Sequence, residues 1–533
     1  MHIEDIDHLG LVAGTVDELG LVEAIDQMIE PHELEHISAG QVVKAMILNA
    51  LGFVSAPLYL FSEFFESKAI GHLLGEGVEA AHLNDDRLGR VLDKLYKLGT
   101  TEVFLAVALL AVERFGVDIR QVHADSTSFA VDGEYGNEER VEPTPIQICR
   151  GYSRDNRPDL KQFLVSLVCS ADGGVPLWLK VGNGNDSDAQ QFAMLMRSFS
   201  DNWQCDSLIV IDAAFYSQPN LQQVKTLRWL SRVPQTLSAA QALVQADTST
   251  LREVPCDLPG YQMWEVEQEY GDIPQRWILI ESHSRKADAD LWKPELEKLE
   301  RRLKRQLKDL CKQVFACKPD ALDALIRFKD SLEVHNLTAV SVEVIEPKRP
   351  PGRPSKAAKA QTPVGYQLSA QLKRIETTEQ QFSQKRSRFI LATNQMDRQQ
   401  WPAKKLLTEY KGQQKVERGF RFLKDPLFFT SSVFLKKPSR VQALALIMAL
   451  TLLVYTLAER KLRQALTHQQ QTVLDQRKRP TAKPTFRWIM QKFQGIHWVS
   501  LGSSTQISNL SDERQLIIRL LGPPAQRYYT GST

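Results

Sequence analysis

The rhythm of apolar and polar positions divides the chain before any single residue type does. Up to about Gly116 apolar residues recur every three or four positions. Leu88, Val91, Leu92, Leu95 and Tyr96 fall at i, i+3, i+4, i+7 and i+8 behind an Asn84-Asp-Asp start signal, the spacing of one helix face. Val43, Met46, Ile47, Ala50, Leu51 and Val54 repeat the theme. This predicts an all-helical N-terminal domain over residues 1–116, helix-turn-helix-like or dimerising. From Val117 to about Pro234 the pattern shortens to strands and turns. Ile119–His123 and Ser207–Ile211 are short runs that stop at an Asp, and Gln162–Cys169 and Val175–Val181 flank an Asp172-Gly-Gly turn, which predicts a hairpin. Asn185-Asp-Ser-Asp188 opens a helix through Phe192 and Met196, and Arg228–Val233 is a further strand.

The spacing between Asp212 and Glu417, 205 positions, exceeds what one helix and one strand require. The excess predicts an inserted domain over residues 236–385. Within it Tyr261–Glu267 and Gln275–Glu281 alternate like strands, and Ala287–Leu332 reads as a helical hairpin broken near Ala316–Asp320. Leu337–Val344 is another strand, residues 347–362 form a Pro/Lys linker, and Val364–Leu368 and Phe389–Asn394 return the chain to the core. The second part of that core is placed at 386–465 and a C-terminal helical region at 466–533. Ala443–Leu457, apolar except for Thr451 and Thr456, falls short of the roughly 20 residues of a membrane span and reads as a core helix.

Three segments each offer one carboxylate in a setting suited to a divalent metal. Asp125 in His123-Ala-Asp-Ser-Thr-Ser128 and Asp212 in Ile209-Val-Ile-Asp-Ala-Ala-Phe215 end the two short strands, where open α/β sheets place ligands. Glu417 lies in a segment read as one helix, with Leu406, Val416, Phe420 and Leu423 as an apolar stripe. Tyr410, Gln413, Glu417, Arg421 and Lys424 are spaced by three or four residues on its polar face. Two Asp and one Glu converging on a pair of Mg²⁺ ions suffice to cut and rejoin phosphodiester bonds. Taken singly, a strand-terminal Asp also serves as a turn or cap residue. Ser126 and Thr127 read as phosphate or water contacts or as local caps, and Tyr216 as a site residue or a core aromatic.

In this order the residues resemble the bacterial insertion-sequence transposases of the DDE class. The resemblance implies an RNase H-like mixed sheet flanked by helices, interrupted by an inserted β-plus-helical-hairpin domain. It implies Asp125, Asp212 and Glu417 as catalytic residues and ligands of two Mg²⁺, with Mn²⁺ able to substitute. In that family the Glu helix carries a tyrosine, an arginine three residues on, the glutamate four after that and a lysine seven later. Tyr410, Glu417 and Lys424 fit, while the arginine position is Gln413, a neutral donor where Arg would be charged and bidentate. Gly151–Gln162 is similar to the strand-pair signature of the same transposases. Lys348–Lys356 resembles the Gly-Arg-Pro core of an AT-hook, with Arg353 entering a narrow minor groove; its other reading is a flexible basic connector. The implied partners are double-stranded DNA (terminal inverted repeats and target DNA), with Tyr410, Gln413, Arg421, Lys424 and Arg353 as contacts, and a second copy in a homodimer on DNA. A catalytically silent DNA-binding regulator and a metal-dependent structure-specific nuclease are the alternatives.

Charge sharpens this picture. The net charge of +2 hides 6 Lys+Arg against 17 Asp+Glu in residues 1–100, while residues 401–440 carry 10 basic and 3 acidic side chains around the Glu helix. A polyanion would lie against the second segment, and the acidic N-terminal region is suited to assembly or to folding back on basic surface. The six cysteines show no Cys-x-x-Cys, which argues against zinc. The acidic Met1–Asp7 lacks a leader pattern, so the expected location is the cytoplasm, on nucleoid DNA, with no membrane partner.

Overall fold

A computed structural model describes residues 2–30, 35–53, 61–135, 143–152, 157–186, 188–288, 290, 292–332, 334–346, 365–375, 377–425, 435–501 and 504–531. Its centre is a nine-stranded sheet. The strands are β1 (Gln121–Val131), β2 (Lys161–Ser170), β3 (Pro176–Gly182), β4 (Leu208–Ile211), β5 (Arg228–Arg232), β6 (Arg252–Val254), β7 (Tyr261–Glu269), β8 (Pro274–Ser282) and β9 (Arg388–Thr393), in the order β3-β2-β1-β4-β5-β9-β8-β7-β6. β1 to β3 form an antiparallel meander, and β4 and β5 add in parallel on the other edge of β1, the expected RNase H-like layout. β4 is Leu-Ile-Val-Ile and buried throughout, as a strand covered on both faces must be.

Asp125 was expected at a strand end but lies inside the 11-residue β1. The reason is that β1 serves two partners. Its parallel pairing with β4 stops at Ala124↔Ile211, while its antiparallel pairing with β2 runs on to Val131↔Lys161. Asp125 therefore sits where the parallel ladder ends, in a strand that Thr127, Phe129 and Val131 prolong.

The insertion differs from expectation in extent. β7 and β8, expected inside it, continue the main sheet: β8 pairs with β9 from Arg388↔Glu281 to Thr393↔Arg276. Two buried ion pairs hold this half, Arg276–Glu265 at 2.8 Å and Arg388–Glu281 at 2.7 Å; removing one partner of such a pair costs far more than either net gain. What stands apart is a three-stranded sheet, Val314–Phe315, Gly365–Arg374 and His335–Ile345. The helices Lys293–Lys312 and Lys318–Asp330 pack on it, which is the expected broken hairpin. Gly365–Leu368, expected to return to the core, pairs instead with Val342–Ile345.

Next along the chain after β9 come the helices α1 (Ala403–Gly412), α2 (Gln414–Leu423) and α3 (Pro438–His468). α3 is long and apolar enough to cross a membrane, yet 83% of its most apolar stretch is buried inside the protein. Around it pack the N-terminal helices Leu9–Leu19, Ala39–Ala50, Asp85–Leu98 and Thr100–Phe115, and Asp512–Leu521 from the C-terminal region. The first region is not purely helical, because His2–Asp5 pairs with His497–Leu501 and ties the two ends of the chain together. For the same reason the last region carries strands as well as helices.

The acidic N-terminal region spends part of its charge on this basic helix. Asp93 pairs with Arg440 at 2.7 Å and Glu18 with Lys461 at 2.5 Å. Arg87 is buried against Glu35 and donates to the Ile37 carbonyl, and Lys94 also reaches Glu35. These cations are committed internally, which favours fold-back over a phosphate-gripping face. Burying a Leu or Ile stabilises by roughly 1.5–3 kcal/mol, so uncovering α3 is costly. Deletion of residues 1–100 is expected to give a chain that aggregates and binds a hydrophobic dye. A monomeric product with an unchanged cooperative melt would show that α3 does not need this cover.

Candidate active site

Alternation along the strands decides which side chains share a face. Val122 and Ala124 of β1, Ile209 and Ile211 of β4 and Trp229 of β5 join a core with Phe192, Met196 and Phe199 of the helix Asp188–Trp203. Leu208, Val210 and Leu230 face the other way, onto Leu406 and Leu407 of α1. Asp125, Asp212 and Arg232 have the parity of this second face. The register places them side by side, because each follows a paired position: Ala124↔Ile211 on β1/β4 and Ile211↔Ser231 on β4/β5. Asp212 continues the extended backbone at φ −69°, ψ 163° before the chain turns. The Ser231 hydroxyl donates to the Asp212 carbonyl at 3.1 Å and binds the two strand ends together.

The segment read as one helix is two. α1 ends at Gly412 and α2 begins at Gln414, with Gln413 at the junction in a tight turn: Gln413 N–H donates to the Tyr410 carbonyl at 3.1 Å and Val416 N–H to that of Gln413 at 3.0 Å. The break has two causes. Glycine weakens a helix interior by about 1 kcal/mol, and the two halves cover different ground. α1 packs on β4, β5 and β9, whereas Val416, Phe420 and Leu423 of α2 join the core formed with Phe163, Val165 and Leu167 of β2 and with α3. Gly412 makes the crossing possible, since a Cβ there would come within 3.0 Å of the buried His123 ring on β1. Glu417 and Arg421 are exposed, Gln413 is buried and Tyr410 half-buried. Lys424 stands 5.7 Å from the centre of the Phe129 ring.

Tyr410 is the electrostatic meeting point. Burial pushes its phenol above the ordinary value. Arg232 opposes this through charge and a side-chain hydrogen bond, and the Asp212 and Glu417 carboxylates add to it. Arg232, Asp212 and Glu417 thus all act on one hydroxyl through their charge. Asp125 Oδ1 accepts from the Ser126 N–H at 2.8 Å and Asp212 Oδ1 from the Ala213 N–H at 2.6 Å. Each carboxylate is turned onto its own backbone, and among the described residues no three His, Cys, Asp or Glu side chains form a group that could hold a metal. The strand register and the hard oxygen donors fit Mg²⁺.

Other expected site residues divide. Ser126 and Thr127 are buried in β1. Tyr216 is a core aromatic: it donates to Gln275 at 2.5 Å, accepts from the Trp277 ring N–H at 3.1 Å and stacks on Tyr270. Arg353 and its linker, and the middle of the Gly151–Gln162 signature, lie outside the described residues. Sequence reasoning missed Arg232 and Phe389. The signal available for Arg232 was a cation closing the strand Arg228-Trp-Leu-Ser-Arg232 twenty positions after Asp212.

Residues 118–454 match the family model described as a transposase DDE domain, and residues 1–109 match one described as a domain of unknown function, DUF4277. No curated protein matches the chain. Among solved structures the chain is similar to a cryo-EM structure of piggyBac transposase in a synaptic complex with hairpin DNA, at 8% identity over 97% of this chain and 80% of that one, with a TM-score of 0.37. The family model spans Asp125, Asp212, the intervening segment and the Glu417 helix, and covers well over half of the sequence. The chain belongs to the transposase DDE-domain family.

Proposed function

We propose that this transposase acts for a bacterial insertion sequence, binding the element's terminal inverted repeats, cutting the strand ends and joining them to target DNA. The observation that carries the reading is the register of β1 and β4, which sets Asp125 and Asp212 next to each other on the face that α1 and α2 cover. Asp125, Asp212 and Glu417 are the residues that would hold two Mg²⁺, or Mn²⁺ in their place. Bound there, the ions supply Lewis-acid stabilisation of the attacking and leaving oxygens.

The chain's own side chains do the rest. Tyr410 and Gln413 sit at the α1/α2 junction above the strand ends, and Arg421 and Lys424 continue the polar side of α2 toward the DNA backbone. Their role is to position phosphate, and the basic 401–440 segment supplies most of the non-specific affinity. Arg353 in the Gly-Arg-Pro linker adds a minor-groove contact. Two copies assemble on the paired ends, and the reaction takes place in the cytoplasm on nucleoid DNA.

The test is incubation with Mg²⁺ and duplexes bearing the ends of the element that encodes the chain, scored for both cleaved and joined products. D125N, D212N and E417Q are each expected to lower the rate by on the order of a thousandfold while DNA affinity stays within about threefold, since affinity rests on Lys/Arg–phosphate contacts. Wild-type binding without any product would identify a silent regulator, and cutting without joining a nuclease.

Two further outcomes follow. Gly412→Val forces a side chain against His123 and is expected to destabilise by about 1–3 kcal/mol, as overpacking does. Its cleavage rate should fall more than its thermal stability explains; a parallel loss of both would reduce Gly412 to a packing position. Deleting residues 347–360 is expected to weaken binding to A·T-rich terminal duplexes and flatten its salt dependence. Unchanged affinity and slope would remove the linker from the DNA interface.

A further inference from the structure

Gln413 leaves a chemical gap. Nearest the strand ends, the polar side of α1 and the junction offers a phenol and a neutral amide, while the planar, forked cation on that side, Arg421, lies about two turns further along α2. The amide is buried at the α1/α2 junction and is a short, neutral donor, whereas an arginine there has the length and the charge to reach phosphate.

A guanidinium stands close by, on a different element. Arg232 closes β5 one position beyond the Ile211↔Ser231 pair, so its neighbour across the parallel ladder is Asp212. It shares the sheet face with Asp125 and Asp212 and is half-exposed. Two aromatic groups hold it. Its guanidinium carbon lies 5.6 Å from the centre of the Phe389 ring on β9, the neighbouring strand, and its charge acts on the Tyr410 hydroxyl. The Phe389 and Tyr410 rings are themselves 6.2 Å apart. An arginine wedged in this way has lost most of its rotamer freedom, which lowers the entropy cost of each hydrogen bond it later makes. Among the described residues it makes no bridge to a carboxylate, whereas the cations of the main sheet that serve the fold, Arg276 and Arg388, are both buried and paired with Glu.

We infer that Arg232 is the phosphate-binding guanidinium of the active site, supplying from the end of β5 the forked charge that Gln413 cannot supply from the helix. Its ligand is a non-bridging phosphate oxygen pair on the DNA strand end held between the Asp212 side of the sheet and Tyr410. Tyr410 and Phe389 are positioning residues that aim it. This rests on the reading of the site as one that cuts DNA, and the experiment separates the two.

The probes are a labelled 40-base-pair duplex of random sequence, and the terminal duplex with Mg²⁺ for cleavage. R232Q is expected to fold like wild type by thermal melting and to cleave about a hundredfold more slowly, the scale for losing one preorganised donor to a developing charge. Its binding to the random duplex should lose one counterion from the salt dependence, about 0.9 in the slope of log K against log salt. R232K should keep the slope and recover only part of the rate, because an ammonium replaces the charge without the fork. The decisive variant is R232Q combined with Gln413→Arg, which should regain about tenfold or more of the lost rate, the size of one charged hydrogen bond. Wild-type cleavage and slope in R232Q would overturn the inference, as would a loss that Gln413→Arg leaves untouched and that Y410F reproduces with the slope unchanged, since Arg232 would then only support Tyr410. If instead the wild-type chain cleaves nothing and D125N and E417Q match it in every assay, the functional reading has failed. The salt slope of R232Q still decides whether Arg232 touches phosphate.

Discussion

Four residues, Leu208–Ile211, set the geometry on which the rest depends. This strand is buried on both faces and pairs in parallel with β1 on one side and β5 on the other. A one-residue slip in either ladder would turn every side chain to the opposite face. Leu208 and Val210 would then leave the α1 core, Ile209 and Ile211 would leave the Trp229 core, and Asp212 would point away from α1 and α2. The hydrophobic requirement of the two cores therefore fixes where the polar residues at the strand end must go. No polar residue has to be placed by its own interactions.

A second constraint is the cover over that sheet. α3 joins the N-terminal helices, the C-terminal helix Asp512–Leu521 and the hairpin turn of β2 and β3 into one body, and Arg460 pins the turn by pairing with Asp172 at 2.5 Å. α2, which carries Glu417, is held between this body and β1/β2. The helix bearing the third carboxylate thus rests on a surface that the distant N-terminal residues complete. Neutralisation of Glu18 and Asp93 by Lys461 and Arg440 explains why a strongly acidic region can sit in a protein of the transposase DDE-domain family without repelling the basic segment beside it.

Much of this was legible in the sequence, for physical reasons. The period-3.6 spacing in Asp85–Leu98, the Asn84 cap, the Asp172-Gly-Gly hairpin and the strands ending before Asp212 are local signals, and local signals survive folding. What escaped was set by partners remote in sequence. Asp125 sits inside a long strand because β2 extends the ladder beyond where β4 stops. β7 and β8 belong to the main sheet because β9, more than a hundred residues later, offers β8 a free edge. The break at Gln413 reflects two helix halves with different floors, and Gly412 alone marked it. Arg232 carried almost no signal, since a cation at a strand end is ordinary until its neighbours are known to be Asp212, Phe389 and Tyr410.

Asp125, Asp212 and Glu417 are proposed to meet at one metal site although 292 positions separate the first from the last. Iron-directed cleavage of the backbone tests it most directly. Fe²⁺ with ascorbate and peroxide, in place of Mg²⁺, generates radicals that cut only the chain within a few ångströms of the ion. The account predicts cuts near residues 125, 212 and 417 together, all suppressed by excess Mg²⁺. Cuts near only one of the three, or cuts indifferent to Mg²⁺, would contradict it.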